Sequence, residues 1–510
     1  MDGWTPAAYK QGVVPNSDRQ GPGQDVSQPT RTLPLHDVPQ WSLEHDVVVV
    51  GQGVAGGAAA IEAARAGADT VVLERMSRGG GATALSTGIT YFGGGTSIQQ
   101  ACGFEDSVDD MKAFVALAAG EHADPERVRL YCEQSVEHFQ WFCDLGVEYK
   151  ASFLEEKTTH PLTDDCLTFS GNEEAWPHSA AARPIPRGHK PAREGEAGGF
   201  LMEAVLRGTL DAGASVVNEC RAERLVVDSA GRVVGVAARR EREPFFVKAR
   251  RGVILATGGF IFNEAMVTKH APQLLQCNYK VGTEADDGSG IKMGLGAGAE
   301  AINMSEGLVL NAYYPPASHL KGVLIDAQGR RFVNEDSYLG RTSDAIITRA
   351  AGRAYLIVDH EIHGRTQAFH KLAAVEESFE ALESALELPP DSLVETLAYY
   401  NRFAERGQDP LFHKAARYLK VLRDPPFGAL DCSTRGSIFG VFTLGGLAAD
   451  ASGEVQDPAG ATVPGLYAAG RCTAGLCREG RNYASGLSIG DASFFGRLAG
   501  RRAAAAVPWC

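Results

Sequence analysis

Residues 46–57 read Asp-Val-Val-Val-Val-Gly-Gln-Gly-Val-Ala-Gly-Gly, and this stretch decides the fold. Its β-branched run, Val47–Val50, is typical of a parallel strand that is buried on both faces. Gly51, Gly53 and Gly56 follow with the spacing G-x-G-x-x-G. The first glycine of this spacing makes a tight turn, the second admits a pyrophosphate to the backbone, and the third lets a helix pack on the strand. The stretch therefore predicts a strand, a dinucleotide-binding turn and a helix.

The residues after this turn complete a βαβ unit. Small residues continue the expected helix, and Val54 and Ala55 lie in its first turn, where the helix N-terminus favours phosphate groups. A second β-branched run over 70–73 ends at Glu74. A carboxylate at this place accepts hydrogen bonds from both ribose hydroxyls of a dinucleotide. Arg75 is adjacent, but Glu74 occupies the key place, which favours a ribose without a 2′-phosphate.

Three further glycine-rich segments favour FAD over NAD as the dinucleotide. They span 78–88, 256–259 and 466–471. An NAD domain needs one such turn, whereas a chain that returns repeatedly to the adenosine, ribitol and flavin of FAD needs several. The alternative is a glycine-rich turn with no ligand, and the strand, helix and acidic residue around the first turn count against it.

The composition is that of a large folded protein, and it excludes some classes of partner. The chain has 510 residues, and its 49 basic and 63 acidic residues give a net charge of −14. Such a protein repels phosphates, so we expect neither nucleic acid nor an anionic membrane as a main partner. No apolar run approaches about 18 residues, which predicts no membrane insertion. The N-terminus lacks the apolar region of a signal peptide, and scattered cysteines suggest reduced thiols in a cytoplasmic protein.

Changes in composition divide the chain into an N-terminal arm (1–44), an FAD-binding domain in two parts (45–304 and 437–510) and an inserted α+β domain (305–436). The inserted segment has more aromatic residues and less glycine than its flanks. The expected elements are two helices over 107–145, a helix over 197–212, a strand at 215–217, a hairpin of 222–228 and 232–237, a strand from 252, strands at 322–325 and 354–358, helices over 374–387 and 391–405, and a closing helix from Ser488.

These segments resemble the FAD-dependent fumarate reductase/succinate dehydrogenase flavoprotein superfamily over about residues 45–510. The matching strings are 47–74, 80–88, 253–259, 287–298, 329–335 and 443–497. The resemblance implies an α/β fold with a Rossmann-like FAD-binding domain, interrupted by an inserted α+β domain that caps the substrate. Succinate dehydrogenases carry a histidine in the second glycine segment that bonds covalently to FAD. No histidine stands there in this chain, so we expect non-covalent FAD.

The motifs and the resemblance together give a set of expected cofactor contacts. By the resemblance, the backbone at Ala222 meets adenine and the segment 81–86 runs beside the flavin. Ser488 and Ile489 open the closing helix and face O2 and N1 of the flavin, where the helix dipole suits a reduced, anionic flavin. The expected cofactor-binding residues are Gly51, Gly53, Val54, Ala55, Gly56, Glu74, Arg75, Gly81, Ala82, Thr83, Ser86, Gly88, Ala222, Ala256, Thr257, Gly258, Asp287, Gly470, Arg471, Ser488 and Ile489.

The substrate end departs from the fumarate pattern. Fumarate-acting members hold two carboxylates with a histidine and an arginine, and Phe442 and Tyr483 stand at those places here. Without these clamps a charged substrate loses strong pairing. The pattern resembles the 3-ketosteroid dehydrogenase branch, and within it the Δ4-(5α)-dehydrogenases, through Tyr483-Ala-Ser-Gly486 and through Tyr338 shortly after a Phe-x-Asn-Glu string. The Tyr-Pro-Gly-type string of the Δ1-dehydrogenases is absent.

This resemblance implies that the chain places a double bond between C4 and C5 of a 3-ketosteroid, and the expected partner is such a steroid or a similar hydrophobic ketone. A donor on the C3 carbonyl acidifies C4, and we assign that role to Tyr483. Ser485 lies two residues further on and is the expected acceptor of the C4 proton. A serine hydroxyl is a poor base alone, so Tyr338 is expected to relay the proton toward solvent. Flavin N5 would receive the hydride from C5.

Each assignment has a plainer alternative. Tyr483 fits core packing with a satisfied hydroxyl, and Ser485 fits a turn or helix cap. An arginine in the region of Arg341 is the proton donor of fumarate reductases, whereas here we expect an ion pair within the domain. The tyrosines that compete with Tyr338 for the relay are Tyr91, Tyr313 and Tyr314.

Other functions also stay open on the sequence alone. The alternatives within enzymes are a Δ1-ketosteroid dehydrogenase, an enone reductase and a fumarate-reductase-like oxidoreductase. Outside catalysis, the chain fits a flavin-binding module without turnover. His360 and His363 have a metal-like spacing but no evident third ligand, so we expect no metal site. The electron acceptor is not readable from the sequence.

Overall fold

The computed structural model describes residues 27–158, 160–366 and 370–509. Within these residues 22 β-strands form five sheets. The strands are β1 (Leu33–Pro34), β2 (Leu43–Val50), β3 (Thr70–Leu73), β4 (Thr90–Tyr91), β5 (Phe153–Leu154), β6 (Leu167–Thr168), β7 (Gly188–His189), β8 (Ser215–Val217), β9 (Cys220–Val227), β10 (Val233–Arg240), β11 (Glu243–Leu255), β12 (Tyr279–Lys280), β13 (Ala301–Ile302), β14 (Gly307–Asn311), β15 (Val323–Asp326), β16 (Ala354–Val358), β17 (Leu372–Glu376), β18 (Phe427–Asp431), β19 (Phe439–Thr443), β20 (Gly446–Leu447), β21 (Glu454–Gln456) and β22 (Thr462–Ala468).

The same described ranges contain 14 α-helices, several of them a single turn long. The helices are α1 (Val54–Arg65), α2 (Gly81–Ala84), α3 (Ser97–Ala101), α4 (Val108–Ala119), α5 (Pro125–Glu133), α6 (Ser135–Asp144), α7 (His178–Ala181), α8 (Gly198–Asp211), α9 (Glu264–His270), α10 (Ser289–Gly296), α11 (Leu339–Thr348), α12 (Phe379–Ala385), α13 (Ser392–Ala404) and α14 (Leu487–Ala505).

A nine-stranded sheet carries the first glycine turn. Strands β11, β2, β3 and β8 pair in parallel, and Val50 lies between Leu255 and Leu73 in this register. The side chains of Val47–Val50 are buried on both faces, as the β-branched run predicts. The βαβ unit of β2, α1 and β3 is confirmed, although β2 begins at Leu43. The turn therefore lies at the carboxyl end of the central strands, where α/β sheets bind ligands.

The closing helix α14 packs along α1, and glycines make this close approach possible. A Cβ at Gly496 would lie 2.5 Å from the Ala55 carbonyl oxygen, and one at Gly500 would lie 2.2 Å from that of Ala59. The predicted closing helix is thus confirmed and begins one residue early, at Leu487. Because α1 and α14 touch, the first and last parts of the chain meet beside the glycine turn.

The expected arm takes part in the main sheet. Residues 1–26 of it lie outside the described residues. β1 pairs in parallel with the end of β9, and the Trp41 ring lies where Gly235 leaves room for it. The predicted hairpin is confirmed as β9 and β10, and the strand predicted from 252 is the end of the longer β11.

The prediction of two helices over 107–145 is wrong, because the segment holds three. Asp124 accepts hydrogen bonds from the amides of Glu126 and Arg127 and starts α5 at Pro125. Proline fits the first turn of a helix and ends the element before it. Gln134 then separates α5 from α6. A four-stranded sheet of β4, β7, β6 and β5, whose strands lie on both sides of this segment in sequence, was not predicted.

The predicted helix over 374–387 is also wrong at its start. Residues Leu372–Glu376 form the edge strand β17, which pairs with β18. Pairing in the sheet overrides the local helical pattern. The helix α12 begins only after Ser378, whose hydroxyl accepts from the Ala381 amide. The helix predicted over 391–405 is confirmed as α13.

Strands β15, β16, β18 and β17 form the sheet of the predicted inserted segment, and α12 packs on it and on α13. A three-stranded sheet of β12, β19 and β14 connects this segment to its flanks. β19 carries Phe442, and α11 follows directly after Tyr338. The two predicted substrate-site residues therefore come from different elements. The domain limits at 45, 305 and 437 stay a prediction.

Candidate active site

A cavity of about 650 Å³ follows the carboxyl ends of the central strands and reaches Tyr338 and Tyr483. All but three of the residues predicted for the site line it. Those that do are Gly51, Gly53, Val54, Ala55, Glu74, Arg75, Gly81, Ala82, Thr83, Ser86, Ala222, Ala256, Thr257, Gly258, Tyr338, Gly470, Arg471, Tyr483, Ser485, Ser488 and Ile489.

The first glycine turn leaves room for a phosphate-bearing group. Gly51 has φ +96°, and a Cβ there would lie 2.6 Å from the Ala256 carbonyl oxygen. A Cβ at Gly53 would meet no atom within 4 Å, so this position faces open space in the cavity. Gly53 also precedes the first residue of α1, Val54. An open backbone at a helix N-terminus is what a pyrophosphate requires.

Glu74 fits the ribose contact. Its Oε2 accepts from the Gln52 amide at 2.8 Å and its Oε1 from the Met76 amide at 2.9 Å. Two backbone donors hold the carboxylate at the cavity wall, and each oxygen keeps a further lone pair. Together with the open turn, this donor and acceptor set fits the ADP half of FAD.

The second glycine segment packs on the first. Gly81 has φ +53°, and a Cβ there would lie 3.5 Å from the Gly53 Cα. The short helix α2 thus presents its backbone and small side chains to the cavity. None of the described residues that line the cavity is a histidine. Non-covalent attachment of FAD stays a prediction.

Gly56 and Gly88 do not line the cavity. A Cβ at Gly56 would lie 1.9 Å from the Gly51 carbonyl oxygen, and one at Gly88 would lie 2.7 Å from the Ala197 carbonyl carbon. The structure gives both residues a packing role. Gly56 lets α1 approach its own turn, and Gly88, with φ +76°, lets the chain pass the start of α8.

Asp287 lies outside the cavity lining, and its neighbour Asp286 lies in it. Asp287 accepts from the Arg75 guanidinium at 2.9 Å and from the Ser289 amide at the start of α10. Asp286 was missed by the sequence reasoning. Its Oδ1 accepts from the Gly259 amide at 3.0 Å, and both of its oxygens lie 3.1 Å from Arg471 Nη2. The sequence shows two adjacent aspartates but not which of the two side chains points into the cavity.

Three hydroxyl groups meet at the other end of the cavity. Tyr338 Oη and Ser485 Oγ are 2.8 Å apart, although 147 residues separate them in sequence. The rings of Tyr338 and Tyr483 have centroids 6.4 Å apart. Tyr483 donates to Ser488 Oγ at 2.9 Å and accepts from the Ser488 amide at 3.2 Å. The structure therefore brings the three predicted catalytic residues together.

Burial keeps both tyrosines protonated. It is the largest cause that raises the pKa of Tyr338 well above its usual range, and the nearby Tyr483 adds to this, while the hydrogen bond with Ser485 opposes it. Burial also raises the pKa of Tyr483, and its hydrogen bonds with Ser488 oppose the rise. Neutral phenols are hydrogen-bond donors, so both can donate to a carbonyl or hydroxyl in the cavity.

An apolar wall faces these hydroxyls. Phe442 packs edge-on against Tyr483, with ring centroids 5.9 Å apart. The Arg471 guanidinium lies over the Phe442 ring, 5.1 Å from its centre. Leu308 and Leu310 complete this part of the lining. The end of the cavity suits a bulky, uncharged ligand that carries a hydrogen-bond acceptor.

The competing tyrosines are committed elsewhere. Tyr91 donates to Glu173 Oε1 at 3.1 Å, Tyr313 to the Glu335 carbonyl at 2.7 Å and Tyr314 to the Ser337 carbonyl at 3.2 Å. None of these three lines the cavity. Of the four tyrosines considered for the relay, Tyr338 alone faces it.

The ion pair expected at Arg341 is not found among the residues that the structure describes. Its Nε is buried without a hydrogen-bond partner in the described ranges. Burial, with the nearby charges of Arg349 and Arg481, lowers its pKa. Over the described residues, no helix has the length and apolar character needed to cross a membrane, and no three His, Cys, Asp or Glu side chains gather as a metal site.

Comparisons with known proteins agree with this geometry. The family model described as "FAD binding domain" matches residues 46–486. The chain is 29% identical over 506 residues to 3-oxo-5-alpha-steroid 4-dehydrogenase of Comamonas testosteroni, and covers 94% of that protein with 85% of its own length. A solved structure of 3-ketosteroid-Δ4-(5α)-dehydrogenase from Rhodococcus jostii RHA1 is 41% identical with a TM-score of 0.88, over 93% of this chain and 99% of the other.

A flavocytochrome c3 fumarate reductase is similar in fold at 24% identity, with a TM-score of 0.65 over 91% of this chain and 78% of the other. The predicted α/β fold, the superfamily resemblance and FAD as the cofactor are confirmed. The chain belongs to the FAD binding domain family and is an FAD-dependent oxidoreductase similar to 3-oxo-5α-steroid 4-dehydrogenase.

Proposed function

We propose that this chain desaturates a 3-ketosteroid between C4 and C5. The observation that carries the proposal is the hydrogen bond between Tyr338 and Ser485 beside Tyr483, at the apolar end of a cavity that fits FAD. The similarity to the Rhodococcus jostii enzyme, whose structure contains 4-androstene-3,17-dione, supports a steroid as the substrate class. A saturated 5α-3-ketosteroid is the substrate that this reaction requires.

Tyr483 is the proposed donor to the C3 carbonyl. Its oxygen accepts from the Ser488 amide at 3.2 Å, which polarises its O–H bond. Its hydroxyl donates to Ser488 Oγ and can turn to donate to a ligand oxygen instead. A hydrogen bond to the carbonyl stabilises the negative charge that develops on that oxygen when C4 loses its proton.

Ser485 is the proposed acceptor of the C4 proton. As its Oγ takes that proton, its own proton moves to Tyr338 Oη, which lies 2.8 Å away, and the tyrosine proton passes to water. The electron pair of the C4–H bond stays on the steroid and forms the C4–C5 double bond as hydride leaves C5. Bound FAD supplies the hydride acceptor for this step.

The absence of disulfide pairing among the described cysteines supports a cytoplasmic location as part of the proposal. All nine cysteines in the described residues are free thiols. Thiols of this kind are usual in a reducing compartment.

Anaerobic mixing of the purified yellow protein with 5α-androstane-3,17-dione tests the function. We expect the flavin band to bleach while a conjugated-enone absorbance appears. The 5β isomer is the matched control for ring-junction geometry. Bleaching by 4-androstene-3,17-dione instead would indicate Δ1 chemistry, and no bleaching with any of these ketones would overturn the steroid assignment.

A further inference from the structure

A second set of polar groups holds Ser485 from outside the cavity. The Ser485 amide donates to the Ser170 carbonyl at 2.8 Å, and Ser170 Oγ donates back to the Ser485 carbonyl at 2.9 Å. Ser170 does not line the cavity. Because one residue fixes both backbone groups of Ser485, the position of Ser170 sets the position of the Ser485 hydroxyl.

Glu173 organises this contact. Its Oε2 accepts from the Gly171 amide at 2.7 Å, and its Oε1 accepts from the Ser170 amide at 3.4 Å. Tyr91 donates to the same Oε1 at 3.1 Å, and the Tyr91 amide donates to the Gly486 carbonyl at 3.2 Å. The carboxylate therefore connects the two segments that hold residues 485–486.

The Glu173 carboxyl is completely buried, and the nearby cations have other partners. Lys157 donates to the Asp336 carbonyl, and Arg187 makes a two-contact pair with Asp106 at 2.7 and 2.9 Å. Burial raises the pKa of Glu173, while the Gly171 amide and the charges of Lys157 and Arg187 oppose the rise. The Glu173 charge in turn raises the pKa of Tyr338.

We propose that Glu173 is a positioning residue for proton abstraction. Glu173 orients Ser485 through Ser170, and its negative charge stabilises the proton in transit on the Ser485–Tyr338 pair. The inference rests on the proposed function. In that reaction the C4 proton moves to Ser485 Oγ, the serine proton moves to Tyr338 Oη, and the tyrosine proton passes to water. A buried carboxylate beside this pair lowers the energy of the cationic stage.

The test is Glu173→Gln, with Glu174→Gln as the matched control. Glu174 is the adjacent carboxylate but pairs with Arg417. We measure flavin bleaching by 5α-androstane-3,17-dione from pH 5.5 to 9.5. We expect Glu173→Gln to retain FAD and to bind 4-androstene-3,17-dione as the wild type does, but to bleach about tenfold to a hundredfold more slowly. The isotope effect of deuterium at C4 should rise.

The pH profile distinguishes an effect of the Glu173 charge from a purely structural effect of the Glu173 side chain. The pKa of Glu173 is raised, so its charge is present above that pKa and is lost as the pH falls through it. The wild-type rate should therefore fall on acidification, whereas the rate of Glu173→Gln should lack this limb. If Glu173→Gln does not fold, Tyr91→Phe removes one donor to the carboxylate, and the acid limb should then move to higher pH.

The outcomes are distinguishable. If the wild type is not bleached, the proposed function fails and this inference fails with it. If the wild type is bleached and Glu173→Gln matches it in rate and pH profile, only the inference fails. A slow Glu173→Gln variant that keeps the wild-type acid limb overturns the role of the charge.

Discussion

The two ends of the cavity are built in different ways. The cofactor end is lined by backbone and small side chains of short contiguous segments, such as Gly51–Ala55 and the helix α2. The substrate end is lined by side chains of Tyr338, Phe442 and Tyr483, which come from separate parts of the chain. The cofactor end depends on glycines, which have no Cβ. The substrate end depends on single hydroxyl groups.

This difference predicts how each end fails. Adding a methyl group damages the cofactor end, because the backbone has no room to move where helix and strand touch. Removing one hydroxyl damages the substrate end, because a buried partner then loses its hydrogen bond. The following substitutions test this comparison, from the largest expected effect to the smallest.

Gly56→Ala should have the largest effect. The new Cβ would lie 1.9 Å from the Gly51 carbonyl oxygen, so α1 and its turn must separate. We expect little folded flavoprotein. Gly53→Ala is the matched control, because its Cβ meets no atom within 4 Å. That variant should keep its thermal unfolding temperature without cofactor but bind FAD more weakly in a fluorescence titration, and equal damage in both variants would contradict the comparison.

Tyr483→Phe should slow flavin reduction by a 5α-3-ketosteroid about 10²–10³-fold, the usual loss for one donor to a developing oxyanion. FAD content should stay near the wild-type level, since phenylalanine keeps the packing of the ring and leaves the glycine turns and the Glu74 carboxylate unchanged. Stopped-flow absorbance measures the rate. A wild-type rate would show that the Tyr483 hydroxyl is not the donor and that the ring only packs in the core.

Tyr338→Phe should slow the same step by about 10²-fold, at the low end for general acid–base groups, because Ser485 stays in place without its relay. The burial of the ring is preserved, so the unfolding temperature should change little. We expect the rate of Ser485→Ala to fall at least as far. An active Tyr338→Phe variant together with an inactive Ser485→Ala variant would remove Tyr338 from the relay.

Asp286→Asn and Asp287→Asn should differ although the residues are adjacent. Asp286 holds Arg471 at the cavity wall, so its change should weaken FAD binding about tenfold, the worth of one charge-assisted bond. Asp287 forms a partly exposed pair with Arg75, worth about 0–1 kcal/mol, so its change should leave FAD binding within a few-fold. Isothermal titration of the cofactor-free variants measures both.

The sequence predicted the cofactor end in most detail. The strand, turn and helix at 46–57 depend on local sequence, and the set of glycine segments predicted FAD as the cofactor. It also listed Gly56 and Gly88 among the cofactor contacts, and the structure places both outside the cavity lining, because packing glycines and ligand glycines look alike in a sequence. It also chose Asp287 over Asp286, because the direction of neighbouring side chains depends on the backbone at that turn.

At the substrate end the sequence proposed the residues, and only the tertiary structure joined them. Periodicity and glycine spacing determine local backbone shape, so the βαβ unit and the closing helix follow from the sequence by itself. The 2.8 Å contact of Tyr338 with Ser485 spans 147 residues, and the Glu173 carboxylate behind them carries no local pattern. Such contacts depend on how distant segments pack, and that packing is decided by the whole buried core rather than by any one stretch of sequence.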